Sequence, residues 1–526
     1  MFEEIFYSIN LLVFYFWLIP YIGGNIADKC TRNYECRYLI QPNWVGYNVD
    51  LGDNQWREFK STLPLLCFAA IFVTLLHKAV RKSSALLFHG KDGELTTLYH
   101  FVVGFVILVV QHGWHSIIVV VLICGTYGVC RAATRFGRMY AYTSVWACAL
   151  GIIFLKESYR IQRYPGFEMI RYMFDSRFSG LYRWNLPANF LVLRLVSYCM
   201  DFCWAVSDQS EKSDFTRNER IDYKNRKKDQ CKLSVSSEDH RPFDEYNLLN
   251  CLSYCLYAPL YVAGPIISFN SYMAFVNSPQ TKESAPLYAL RWCLAFVLME
   301  VGTHMYPVFA VVRSGLYFQL RPSEMAVLAY LILKLMWLKF LLIWRFFRLW
   351  SLADGVLVPE NMLRCMSNNC SLEQFWKGWH SSFNQWIVRY MYKPMGGRHS
   401  RMVNVFPIFF FVAIWHDIEP KLILWGGLNS IFYILEASGR HIHKAYIQRN
   451  VSARFCFVIE TLSSASYIVI LIAVNLIGYA VGADGVRGIA VRLCSRDGLF
   501  TVIGSFYFLS IGVCVMKYLK THNISK

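Results

Sequence analysis

Two histidines each follow a tryptophan, Trp379-His380 and Trp415-His416, 36 positions apart. A neutral imidazole within hydrogen-bond reach of a hydroxyl can take its proton, so each histidine in apolar surroundings is a candidate general base. His416 stands between the apolar runs Val403 to Trp415 and Leu422 to Leu435, with Asp417, Glu419, Pro420 and Lys421 just after it. The first run has 13 residues, roughly 20 Å at about 1.5 Å each and short of a hydrocarbon core about 30 Å thick. The polar break is therefore expected at depth, where an ionisable residue is costly and marks a functional site. A surface turn between two short helices is the competing reading.

The other histidine lies in Ser371 to Gly397, which is expected to form one amphipathic helix. Ser371 with Gln374 three residues on resembles a capping box, and Pro394-Met395-Gly396-Gly397 ends the segment. On such a helix His380 and Asn384 share a face with Trp376, Phe383 and Ile387. The alternative is an interfacial helix whose Trp and Tyr residues sit at headgroup level while His380 satisfies a backbone carbonyl. Arg389 and Lys393 near its end either meet phosphates or snorkel as anchors.

The elements that must position these residues are set by composition. Of 526 residues 55% are hydrophobic and 17% charged, and the mean hydropathy is +0.31, as in a membrane protein. Runs able to cross a bilayer are Ile5 to Ile22, Leu63 to Val80, Leu186 to Val206, Leu287 to Val312, Met325 to Trp344, Phe455 to Val481 and Leu499 to Met516. Shorter runs are Leu95 to Val110, Trp114 to Val129, Ala141 to Leu155 and Leu248 to Ile267, besides the two that flank His416. The expectation is an all-α polytopic bundle of about 11–13 membrane segments, with short or re-entrant helices around a central tunnel. Residues 1–526 are read as one membrane domain, with 208–245, rich in both charge signs, as a flexible charged loop insert.

The net charge of +18 is spread over loops between apolar segments, which reads as helix-end anchoring and contact with anionic lipid rather than nucleic-acid binding. The first run begins with Glu3 and Glu4 and has no clear cleavage site, so it is read as a retained helix. His77, Lys78, Arg81 and Lys82 place that end of the second helix in the cytosol and Asn25 to Lys60 in the lumen. The orientation of the central segments stays open. Most of the 17 cysteines lie in apolar runs as small hydrophobes, while Cys30 and Cys36 share a polar loop and can pair if it is lumenal. The absence of an internal repeat weighs against an inverted-repeat carrier.

Trp379-His380, Trp386-Ile387-Val388-Arg389-Tyr390-Met391-Tyr392-Lys393-Pro394 and Ile414-Trp415-His416-Asp417 resemble the membrane-bound O-acyltransferase (MBOAT) superfamily. So do Asp53 to Phe59, Arg194 to Asp201 and Leu252 to Pro265, and the resemblance covers most of the chain outside the charged insert. It is strongest to the branch holding the glycerol-uptake proteins and hedgehog acyltransferase. The resemblance implies an acyl-CoA-dependent O-acyltransferase of the endoplasmic reticulum membrane, with His416 as general base and His380 as the second catalytic group. Asn384, Trp379, Arg389 and Trp415 are implied as substrate-binding residues. Long-chain acyl-CoA is the implied co-substrate, and a lyso-glycosylphosphatidylinositol (lyso-GPI) anchor or a lysophospholipid the implied acceptor. The alternatives are a protein N- or O-acyltransferase acting on secreted proteins and a non-enzymatic polyol or glycerol carrier. Hedgehog acyltransferase has an aspartate where this chain has His380, which weighs against a protein acceptor, and catalytically silent relatives lack the histidine matching His416. No cofactor is required for the chemistry, but the resemblance marks Cys365, 15 residues before His380, as a haem ligand through its thiolate. The two histidines are expected to face one internal cavity, with the acyl chain among helices carrying Phe409, Phe410, Phe411 and Trp425.

Overall fold

Inside a bilayer every backbone N–H and C=O must find a partner within the protein, and the long apolar runs of this chain meet that demand as helices. The computed structural model describes residues 2–42, 48–87, 92–161, 180–185, 187–214, 241–279 and 285–522. Among them nine helical stretches are long and apolar enough to cross a membrane, so the protein is a multi-pass helical bundle. One of the nine, Gly93–Phe136, has 44 residues, about 66 Å at 1.5 Å per residue and twice a single crossing. It breaks at Gly113, whose φ is 55°.

The order begins with α1 (Phe2–Val13) and α2 (Ile19–Arg32), joined by a π-turn, then α3 (Asn54–Leu87), α4 (Asp92–His112), α5 (Ser116–Ala133), α6 (Arg138–Ile161) and α7 (Ala188–Asp214). Between α2 and α3 the strands Ile40–Pro42 and Asn48–Asp50 pair antiparallel, and Cys30 and Cys36 form the disulfide that their shared loop allows. In α3 only 11% of the most apolar window is buried, against 78% in α7. Helix α7 is therefore the centre of the bundle and α3 part of its perimeter. Large apolar side chains such as Phe68, Leu75, Val106 and Ile117 face outward, a surface suited to lipid rather than water.

The run Leu248 to Ile267 is not one membrane-length helix. It folds as α8 (Leu248–Leu256), the short turn Ala258–Val262 and an extended stretch, almost all of it buried. Pro259 and Pro265 interrupt the helix, and the freed carbonyls of Tyr254 and Cys255 accept from the buried Arg194 guanidinium of α7 at 3.3 and 2.7 Å. Helix α4 passes so close that a Cβ at Gly104 would lie 2.2 Å from the Leu256 carbonyl oxygen. Of the charged insert at 208–245, α7 continues to Asp214 and Phe243–Glu245 forms a 3₁₀ turn, while 215–240 lie outside the described residues.

The second half supplies the site. Helix α9 (Pro322–Ala353) is followed by an irregular stretch, then by α10 (Leu372–Gly378), α11 (Ser381–Ile387), α12 (Arg401–His416), α13 (Pro420–Ile442) and α14 (Ala453–Tyr479). Ser371 does cap α10, accepting from the Gln374 N–H at 3.3 Å. The expected single helix from Ser371 to Gly397 is interrupted, however, at Trp379-His380.

Candidate functional site

A cavity of about 2410 Å³ runs through the bundle and is lined by both histidines. One face of α12 borders it along its length, through Arg401, Val405, Ile408, Phe409, Val412 and His416, a spacing of three and four residues that repeats on one side of a helix. Arg401 and His416 are the first and last residues of α12, so the cavity extends roughly 23 Å along the helix axis at 1.5 Å per residue. As a 16-residue apolar helix, α12 is too short for an ordinary crossing, as the sequence indicated.

The break at Trp379-His380 has a specific form. His380 has φ 48° and ψ 50° and is the only non-glycine residue with positive φ among those described. A left-handed conformation in a side-chain-bearing residue costs of order 1–3 kcal/mol and persists only where the surroundings impose it. Here Asn361 imposes it. Its carbonyl accepts from the Ser381 N–H at 2.9 Å and its side-chain oxygen from the Ser382 N–H at 3.2 Å. Ser382 Oγ in turn accepts from the Ile266 N–H at 2.9 Å. The consequence is an imidazole set at a tilt against Trp344, 4.3 Å between ring centres, and packed near Phe383 and Trp415. Its Nδ1 is buried and has no hydrogen-bond partner among the described residues.

His416 is held by its backbone and leaves its ring to the cavity. Its carbonyl oxygen accepts from Lys156 Nζ of α6 and Asn189 Nδ2 of α7, both at 3.2 Å. Lys156 also meets Asp417 Oδ1 at 3.0 Å and Asn189 Oδ1 at 3.1 Å, while Trp415 Nε1 donates to the Asn189 carbonyl at 2.8 Å. The imidazole packs edge-on against Trp415, Tyr479 and Trp425, at 4.7, 5.6 and 6.4 Å. Lys156, Asn189 and Tyr479 were not singled out from the sequence. Lys156 directly ends the apolar run Ala141 to Leu155, a place where lysine usually reads as an anchor. Lys156→Met should lower kcat on the order of ten-fold with KM little changed, since a small misplacement of the reacting group suffices for that. Initial-rate kinetics check this, and an unchanged kcat would show that the clamp is dispensable.

Trp379, Asn384 and Trp415 line the same cavity as the two histidines. Arg389 does not. Its guanidinium pairs with the fully buried Asp201 of α7 at 3.0 Å and lies over Trp204, bordering a separate pocket of about 370 Å³. Of the expected acyl-chain residues, Phe409 and Trp425 line the cavity. Phe410, on the far face of α12, is 54% exposed, and Phe411 turns into the core to stack on Trp386. Consecutive residues on a helix point about 100° apart, so the three phenylalanines cannot share a wall.

Cys365, in the stretch after α9, does not border the cavity, although Met366 and Ser367 do. Its Sγ accepts from Lys334 Nζ at 2.7 Å. An axial haem ligand needs its sulfur turned to open space beside the porphyrin, and this sulfur is turned to an ammonium. These residues do not fit a haem, and none enters the chemistry below.

The end of the cavity near Arg401 is cationic. Arg398, Arg401 and Lys377 line it with Glu373, and Arg440 pairs with Glu373 beside Arg401. Burial pushes the Glu373 carboxyl up, but the hydrogen bond from Lys377 and the charges of Arg401 and Arg440 outweigh it and hold the carboxyl at about 2. Arg440 also pairs with Glu436 at 2.9 Å, so Arg398, Arg401, Arg440 and Lys377 share two carboxylates and positive charge is left over at this mouth.

The MBOAT, membrane-bound O-acyltransferase family model matches residues 171–473. Membrane-bound O-acyltransferase gup1 of Schizosaccharomyces pombe is 32% identical over 92% of this chain and 82% of its own length. GUP1 of Saccharomyces cerevisiae is 31% identical over 97% of this chain and 90% of its own. Protein-cysteine N-palmitoyltransferase HHAT of Mus musculus is 24% identical over 39% of this chain and 43% of its own.

Proposed function

We propose that this chain, which belongs to the membrane-bound O-acyltransferase family, moves a long-chain acyl group from acyl-CoA to the free hydroxyl of a lyso-GPI anchor or lysophospholipid in the endoplasmic reticulum membrane. The observation that carries this reading is the single apolar-walled cavity shared by His380 and His416. It exceeds the roughly 300–1,000 Å³ of ordinary small-molecule pockets, as a site for two lipid-sized substrates must. The CoA phosphates cannot enter hydrocarbon without losing their hydration, and the Arg398 and Arg401 mouth gives them charge-assisted partners outside it. That mouth replaces Arg389, which is committed to Asp201.

His416 takes the acceptor hydroxyl proton as the oxygen attacks the thioester carbonyl. The carbonyl electron pair moves onto oxygen, where His380, with Asn384 beside it, donates to the oxyanion or orients the acceptor. Collapse expels the CoA sulfur, which leaves with the proton carried by His416, and the ester remains on the acceptor. No acyl-enzyme nucleophile is called for.

The test is lipid analysis of GPI anchors and phospholipids from cells that lack the protein. Accumulated lyso-anchors or lysophospholipids support the reading. Unchanged lipids together with under-acylated secreted protein would replace it with protein acylation, the activity that the name of the mouse relative states for that relative.

A further inference from the structure

Apart from this cavity, three ionisable side chains from three helices converge in the core. His77 of α3, His100 of α4 and Asp354, the residue after α9, each present a ligand atom such that all lie within 4.8 Å of one another. They are 2%, 3% and 6% exposed, and none of them lines the cavity of His380 and His416. Asp354 receives two hydroxyls, Thr74 Oγ1 on Oδ1 and Tyr257 OH on Oδ2, each at 3.0 Å, and His77 Nδ1 lies 3.7 Å from Oδ1. Hydroxyls do not neutralise a buried carboxylate, and the Nε2 atoms of both His77 and His100 are buried with no hydrogen-bond partner among the described residues. Left so, the cluster combines costs that folded proteins avoid.

The surroundings are arranged as they are around metal ligands. His100 Nδ1 meets the Tyr272 hydroxyl at 2.8 Å, which meets Ser253 Oγ at 2.7 Å. With the proton on Nδ1 donated to Tyr272, Nε2 presents its lone pair to the cluster, the outer support that ligating histidines carry. The His77 ring stacks on Tyr99 at 5.1 Å, and the Tyr99 hydroxyl is fixed by the Val73 carbonyl at 2.6 Å.

We propose that His77, His100 and Asp354 bind a divalent transition-metal ion, zinc by their donor set, which staples α3 and α4 to the end of α9. Two imidazoles and one carboxylate suit zinc, whereas calcium and magnesium require oxygen ligands throughout. Bonds of about 2.0–2.1 Å set tetrahedral ligand atoms roughly 3.4 Å apart, so ligand atoms now within 4.8 Å of one another close by at most about 1.4 Å on binding and water takes the fourth position. The charge of Arg81, one turn beyond His77, acts at His100 and repels a cation there without removing a ligand. The ion is structural. It fixes the end of α9, the helix whose Trp344 supports His380, and takes no part in acyl transfer.

The test uses the full chain purified in detergent. Elemental analysis should find one zinc per chain, and cobalt exchanged for it should give the visible absorption of a four-coordinate site. Asp354→Asn and His100→Gln should lose both signals. Tyr272→Phe keeps every ligand and should weaken cobalt binding about 10–100-fold, which covers the case where the ligand variants fail to fold. Returning zinc to chelated protein should raise the Tm of wild type and leave that of Asp354→Asn unchanged. Wild-type protein without bound metal or cobalt absorption would overturn the proposal, as would metal content unaltered in both ligand variants.

Discussion

His416→Ala protein, purified and supplied with labelled acyl-CoA and a lysolipid acceptor, is expected to lose turnover by about 10³–10⁴-fold, the upper range for removing a general base. The Trp415 ring packs against both imidazoles, 6.4 Å from that of His380 and 4.7 Å from that of His416. The fold should survive, because the hydrogen bonds from Lys156 and Asn189 go to the backbone carbonyl of residue 416, which His416→Ala keeps. The same variant separates an enzyme from a carrier: uptake of polyols that continues undiminished, together with acyl transfer at the wild-type rate, would sink the enzymatic role given to this residue.

His380 should matter less, by about 10²–10³ in kcat, the loss typical of an orienting or oxyanion-stabilising group. Its left-handed backbone makes three substitutions informative. His380→Gly removes the backbone strain but also a buried ring, so Tm should fall less than in His380→Ala, which keeps the strain, while turnover is still lost. His380→Asn tolerates the conformation and keeps one donor, so it should retain more activity than His380→Ala. Kinetics of all three, with Tm measured alongside, distinguish the side chain from the turn. Wild-type turnover in His380→Gly would mean that only the turn matters. A loss in His380→Ala equal to that in His416→Ala would exchange the two roles.

The membrane helices were legible because crossing length and apolar composition are local properties, and neither depends on what a helix packs against. The Cys30–Cys36 pair was legible for the same reason, the two lying six residues apart in one loop. His380 and His416 could be named from residue type and from the resemblance, and the shortness of α12 was countable. The break at His380 was not, since the sequence around it satisfies a helical pattern and the left-handed turn is imposed by Asn361 from another segment. Arg389 matched a substrate-binding expectation because type and position cannot reveal Asp201, 188 residues earlier, as its partner.

Sequence alone thus determined that the chain would be a helical membrane protein with a pair of candidate histidines. The tertiary structure decided what holds them. Lys156 and Asn189 reach the His416 carbonyl from 260 and 227 residues away. The physical reason is that hydrogen bonds and ion pairs act over about 3 Å of space, and spatial neighbours this far apart along the chain exist only once α6, α7 and α12 have packed.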